Sequence, residues 1–236
     1  MKIGGLQKVS LIDFPAQITA VVFVKGCNFA CPFCFNRDLV LGNLPAISQK
    51  TILSFFKKRK KVLDGVVISG GEPSLQSDLE QFIKRVKKLG YQIKLDTNGA
   101  LPLVLKKLLD KKLLNYVALD VKAPLDGGYA GAIGKKRFDP TIIEKSFKLL
   151  LKSKASFELR TTIVPGIHDK KTLVKMAKQL KKIVGRRKIP WLWQNFQPKT
   201  CLNPEFEKKK PYKKEKLVEF LRAVKRYYSQ AEIRAF

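Results

Sequence analysis

Six short apolar runs, each closed by a polar cluster and followed by an amphipathic stretch, constrain the fold of this 236-residue chain more than any other feature. The runs cover residues 19–24, 65–69, 91–96, 116–121, 156–162 and 190–195. Continuous apolarity over so short a span marks strands covered on both faces, as parallel sheets require. The stretches between them read as helices over 48–60, 77–88, 101–112, 139–151, 170–184 and 212–228. Ser48 is a good N-cap, Gly90 a stop, and Asp139-Pro140 a cap followed by the favoured first-turn proline. Six strand-then-helix units imply a parallel sheet with right-handed crossovers and helices outside. The expected architecture is α/β, a partial (β/α)6 TIM-like barrel. An open dinucleotide-binding sheet fits less well, because no G-x-G-x-x-G follows the first strand. A short strand is expected at 232–234. No linker divides the chain, so residues 1–236 read as one domain, with the Pro- and Lys-rich segment 198–211 as a long surface loop.

In such folds functional groups gather where strands end. The first strand runs straight into Gly26-Cys27-Asn28-Phe29-Ala30-Cys31-Pro32-Phe33-Cys34. Three thiols this close on one loop can each bind one iron of a cubane and leave the fourth iron open to substrate. A structural zinc site is the competing reading, but zinc wants four ligands. Cys201 and His168, the other residues able to close it, lack convincing spacing; three unrelated buried thiols are a further alternative. Cys201 is expected to be unliganded, and His168 exposed or structural.

The later strands end in polar motifs as well. Gly70 and Gly71 let the backbone approach a ligand closely, and the Glu72 carboxylate can accept from an ammonium group; a simple tight turn explains the same residues. Asp96-Thr97-Asn98-Gly99 and Asp120-Val121-Lys122 put charges where a buried face should be apolar, so ligand contacts or mutual ion pairs are expected. Arg160 alternates with apolar neighbours and could clamp a carboxylate bidentately or face the surface. Gln194 and Asn195 end the sixth run and could line a channel.

Composition enters mainly through charge. Lys plus Arg is 48 against 19 acidic residues, a net charge of +29, so polyanions are attracted. Groups such as Lys57–Lys61 flank turns and helix ends, with no zinc-finger spacing or RNA-binding aromatic motif beside them, so nucleic acid is possible but not favoured. No signal-peptide pattern or membrane-length apolar stretch is found, so a cytoplasmic location without membrane association is expected, where structural disulfides are rare.

The C-x-x-x-C-x-x-C loop after the first strand, followed in order by the Gly-Gly-Glu segment, resembles the radical S-adenosylmethionine superfamily over nearly the whole chain. That resemblance implies a [4Fe-4S] cluster on Cys27, Cys31 and Cys34, with S-adenosylmethionine bound at the open iron. Reduction then splits it into methionine and a 5′-deoxyadenosyl radical. It assigns Gly70, Gly71 and Glu72 to the methionyl amino group. The segments Asp96-Thr97-Asn98 and Asp120-Val121-Lys122 resemble those of glycyl-radical-enzyme activases. The likeness implies a cosubstrate-side role, with a monovalent cation near Asp96, and places Asp120 and Lys122 close to the reaction centre. Gly4–Pro15, Cys34-Phe35-Asn36 and Gln194-Asn195-Phe196 resemble the activating proteins of anaerobic ribonucleoside-triphosphate reductase. A glycyl-radical partner of that kind and a flavodoxin or ferredoxin electron donor are therefore expected. The sequence departs from many relatives at Phe35, where they carry histidine; a changed cluster potential or solvent exposure is the expected consequence. The alternatives are a radical enzyme acting on a small molecule or RNA, and a non-catalytic basic iron–sulfur protein that binds nucleic acid.

Overall fold

The computed structural model describes residues 1–234. It is an α/β structure whose eight strands follow one another in sheet order from β1 to β8, mostly parallel and not closed into a complete barrel. By its contacts the chain divides into two compact units.

The first unit comprises Met1–Asn28, Asp38–Ala118 and Lys152–Ser156. It opens with β1 (Ile3–Ser10), antiparallel to β2 (Thr19–Val24), with Leu6 opposite Val22. The sequence reading found β2 and missed β1, whose glycines and polar residues hide its strand character. After α1 (Arg37–Leu41) comes α2 (Gln49–Arg59), capped by Ser48, whose hydroxyl accepts from the Thr51 amide at 3.1 Å. Strand β3 (Gly65–Gly70) pairs in parallel with β2, Val21 opposite Val67. Helix α3 (Leu79–Lys88) ends before Gly90, which takes the left-handed conformation at φ 95°. Strand β4 (Gln92–Thr97) is followed by α4 (Pro102–Asp110) and the start of β5 (Tyr116–Asp120).

The turn between β1 and β2 is locked by Ser10, whose hydroxyl donates to Asp13 at 2.6 Å and accepts from the amides of Ile12 and Asp13. It thereby inserts Phe14 against Val21, Val67, Phe23 and Tyr116. The otherwise unexplained Asp13-Phe14-Pro15 motif is thus a plug in the apolar core.

The second unit comprises Phe29–Arg37, Leu119–Leu151 and the chain from Phe157 onward. It contains α5 (Tyr129–Ala132), α6 (Thr141–Lys152, its last residue in the first unit), β6 (Ser156–Ile163, its first residue in the first unit), α7 (Lys170–Val184), β7 (Trp191–Asn195), α8 (Lys214–Lys225) and β8 (Ala231–Ile233). Asp169 caps α7 by accepting from the Thr172 amide at 2.7 Å, and Gly185 closes it. Strands β6, β7 and β8 run parallel, and Trp191 packs edge-on against both Trp193 and Tyr228. Each run expected as a strand forms one, with ends moved by a residue or two.

Candidate functional site

The β2 strand delivers Gly26 and Cys27 at its exit, and the first unit secures them with backbone. The Gly71 amide donates to Val24 O at 2.9 Å and the Glu72 amide to Gly26 O at 2.8 Å. This approach is so close that a Cβ on Gly71 would lie 2.0 Å from Gly26 O, and one on Gly70 would lie 2.5 Å from the Val24 backbone. The two glycines are therefore required by the approach of the chain to itself.

Glu72 follows, almost fully buried. Its Oε1 accepts from the Ser74 amide, the Ser74 hydroxyl and the Thr97 hydroxyl, and its Oε2 accepts from the Asn98 amide at 2.7 Å. Burial raises its pKa above the ordinary carboxylate value despite these donors. Asn98 in turn sends its side-chain amide to Asn28 Oδ1 at 2.8 Å and to Cys27 Sγ at 3.9 Å. A continuous chain of hydrogen bonds thus runs from Glu72 through Asn98 to the first cysteine. Asp96 accepts from the Ser69 hydroxyl at 3.0 Å. The positive charge beside it is Lys94, fully buried, with Nζ 3.3 Å from Asp96 Oδ1 and bonded to Asp13 O at 2.6 Å. Sequence reasoning missed Lys94, although a lysine two places before Asp96 in an apolar strand shares its face.

The second unit holds the rest of the cysteine loop. Ala30 donates to Ile133 O at 2.9 Å, and Gly134 packs so tightly that a Cβ there would lie 2.1 Å from Ala30 O. Phe29 meets Phe138 edge-on, and Phe138 stacks on buried Tyr129. The Cys34 amide turns back to Cys31 O at 3.0 Å. Cys31 is buried and Cys34 partly exposed, while Phe35 is 52% exposed and leaves most of its shielding capacity to solvent.

At the end of β5, Asp120 is flanked by two cations. Its Oδ1 accepts from Arg160 Nε at 3.0 Å and its Oδ2 from Lys122 Nζ at 2.7 Å. Desolvation would raise the Asp120 pKa, but Arg160 and Lys122 together hold it down to about 2. The Lys122 ammonium is disfavoured by desolvation, yet Asp120 and then Cys31 push its pKa above the usual value. One carboxylate is here shared by two cations. Arg160 thus points inward, and its guanidinium engages Asp120.

His168 is structural. It is fully buried, accepts from the Val164 amide at Nδ1 and faces Lys122 O through Nε2 at 3.0 Å. That pattern makes it the neutral tautomer with the proton on Nε2, and burial lowers its pKa to about 4. Asn195 donates to Tyr212 O at 2.9 Å, and Tyr212 Oη donates to His168 O. Cys201 is buried too, its thiol 4.0 Å from Phe33 O, so segment 198–211 is a surface loop with a buried anchor.

None of the four cysteines is in a disulfide. Among the described residues, no three His, Cys, Asp or Glu side chains are arranged to hold a metal ion together. Both candidate closers of a zinc site are instead directed at backbone groups. Three thiols on one loop, with an amide donating to the first, suit an iron–sulfur cluster as donor set.

Residues 21–180 match the family model described as the Radical SAM superfamily. A protein of Methanocaldococcus jannaschii named as a glycyl-radical enzyme activating enzyme is 33% identical over 98% of this chain and 95% of its own length. The pyruvate formate-lyase-activating enzyme of Staphylococcus epidermidis is 27% identical, over 73% of this chain and 72% of its own. Among solved structures, Streptococcus suis SuiB bound to S-adenosylmethionine matches with a TM-score of 0.68 at 18% identity, over 91% of this chain. The chain spans about half of SuiB (52%), and that likeness is one of fold. No helix among the described residues is long and apolar enough to cross a membrane.

Proposed function

Because this chain belongs to the Radical SAM superfamily, with its [4Fe-4S] cluster and S-adenosylmethionine, we propose that it activates a glycyl-radical enzyme, namely an anaerobic ribonucleotide reductase. The observation that carries the reading is similarity along almost the whole chain to a protein named as such an activating enzyme. The N-terminal motif and the Gln194-Asn195-Phe196 segment favour the reductase as partner.

When bound, the cluster and its cosubstrate supply a 5′-deoxyadenosyl radical that takes a hydrogen from a glycine Cα of the partner. The chain's own residues hold and orient. Cys27, Cys31 and Cys34 would each ligate one iron of the cluster. Glu72 fixes Asn98, which steadies Cys27. Its Oε2 accepts fewer protein donors than Oε1, so Oε2 is the atom we assign to the methionyl ammonium, with Gly70 and Gly71 shaping the wall beside it. Asp96 and Thr97 complete the cosubstrate side, where Lys94 compensates the Asp96 charge and lessens the need for a monovalent cation. The Lys122 and Arg160 cations beside Asp120 suit an acceptor group, such as the cosubstrate carboxylate or a carbonyl of the incoming peptide. A reduced flavodoxin or ferredoxin supplies the electron.

The test is anaerobic incubation of the reconstituted protein, S-adenosylmethionine and a reductant with a candidate anaerobic ribonucleotide reductase. A glycine-centred EPR signal on the reductase is expected. Cosubstrate cleavage without that signal, but with modification of RNA or a small molecule, would move the reading to another radical enzyme. Salt-sensitive RNA binding without any cleavage would favour the non-catalytic alternative.

A further inference from the structure

Three consecutive residues of the late loop reach three consecutive residues of the cysteine loop, all within the second unit. The Leu202 amide donates to Cys34 O at 2.9 Å, the Asn203 amide to Pro32 O at 3.0 Å, and the Cys201 thiol lies 4.0 Å from Phe33 O. We propose that residues 201–203 are a strap that sets the Cys31–Cys34 segment in its iron-holding shape before iron arrives, and so governs how firmly the cluster is retained. The proposal rests on the cluster reading above and adds positioning residues that lie far along the chain from the cysteines.

The described chain has no cis peptide bond, so each carbonyl turned toward the strap turns the next N–H the opposite way. The amides of Phe33, Cys34 and Phe35 are therefore aimed away from residues 201–203, and that of Cys34 closes on Cys31 O. An anionic cluster is stabilised by N–H donors and repelled by carbonyl oxygens. A strap that captures three carbonyls removes the repulsive ends and fixes the attractive ones.

The strap is itself held firmly. Cys201 is the sole buried residue in the stretch 198–211. Thr200 before it adopts φ 34°, a left-handed conformation that a β-branched residue keeps only where its surroundings enforce it. After it, the Asn203 side chain accepts from the Glu205 amide at 3.0 Å. At the far end of the loop, Tyr212 is tied to Asn195 and to His168.

The experiment uses the full chain, reconstituted anaerobically, and follows iron release to a chelator together with the cluster's midpoint potential. Leu202→Pro deletes the donor to Cys34 O, Cys201→Ala deletes the thiol, and Cys201→Ser restores a donor. Release about tenfold faster is expected for Leu202→Pro, the equivalent of one hydrogen bond, with a more negative potential. Cys201→Ala should accelerate release about threefold and Cys201→Ser less, because a thiol is a weak donor. Iron-loaded, folded Leu202→Pro that releases iron at the wild-type rate and keeps its potential would overturn the proposal. If that variant does not fold, hydrogen exchange on the wild type decides. Protected Leu202 and Asn203 amides without iron support the strap, and fast exchange in both states defeats it. A wild type that takes up no iron overturns the cluster reading instead, before any variant is compared.

Discussion

At the Cys27 end of the cysteine loop, a side-chain relay reaches the thiol itself: a buried carboxylate, an asparagine, then sulfur. At the Cys34 end the support is main chain, two amides and one thiol laid along three carbonyls. The two carboxylates of the site differ in the same spirit. Glu72 is surrounded by neutral donors, and burial lifts its pKa; Asp120 lies between two cations that pull its pKa down. A carboxylate held by neutral donors is a bracket first, whatever ammonium group its less occupied oxygen goes on to meet. One set between two cations is held charged and fixes where those cations sit.

The largest effect should come from the thiols. Alanine at Cys27, Cys31 or Cys34 is expected to abolish four-iron loading and 5′-deoxyadenosine formation, whichever end of the loop is cut. A variant of either end that keeps its irons breaks the view that both ends serve one cluster.

Next come the carboxylates. Glu72→Ala strands four buried donors and should cost about 4 kcal/mol of folding stability in chemical denaturation. Asp120→Asn leaves Arg160 and Lys122 without their shared carboxylate, so it should cost about 3 kcal/mol of folding stability and about a hundredfold in cosubstrate cleavage. The reverse ranking would exchange the roles of bracket and site.

His168 gives a pH-dependent contrast behind Lys122. Its folded pKa is about 4, against 6.5 for the free side chain, so the unfolded chain takes up the proton first as pH falls. The stability from neutral His168 is complete above pH 6.5 and declines through about pH 4, by about 3 kcal/mol in all. Denaturation curves of His168→Leu should lack this slope, while the Glu72 bracket is unaffected.

The smallest expected effects are a matched pair. Gly71→Ala and Gly134→Ala each press a Cβ into a carbonyl of the cysteine loop, at 2.0 and 2.1 Å, and each should cost about 2 kcal/mol by thermal unfolding. Gly134→Ala should cost the more of the two, because φ 66° adds left-handed strain to the clash, and a cheaper Gly134→Ala would mark the second unit as the yielding side.

Legibility in the sequence followed the range of the interactions. Strands β2, β3, β5 and β7 were readable because each is largely an apolar run, β4 and β6 because apolar residues alternate with charged ones, and α2 because Ser48 caps it locally. Strand β1 was not, since its pairing depends on β2 rather than on its own pattern. Among site residues, the cysteines, Glu72, Asp96 and Asp120 stood out as charges or thiols at strand ends, and Arg160 as a charge alternating with apolar neighbours. Lys94 was visible in principle from its alternation with Asp96. Gly134 and Leu202 carried no local signal, because what they touch lies about a hundred residues or more away.

By itself the amino-acid order determined the parallel α/β scaffold, the three clustered thiols and the family, because periodicity and short spacing are properties of neighbouring residues. Tertiary structure alone decided that Gly70 and Gly71 yield to Val24–Gly26, that Glu72 braces Asn98, and that Cys201 lies against the cysteine loop. The physical reason is that a hydrogen bond or a close approach is fixed by position in space, and chain closure brings together groups whose sequence separation carries no record of the meeting.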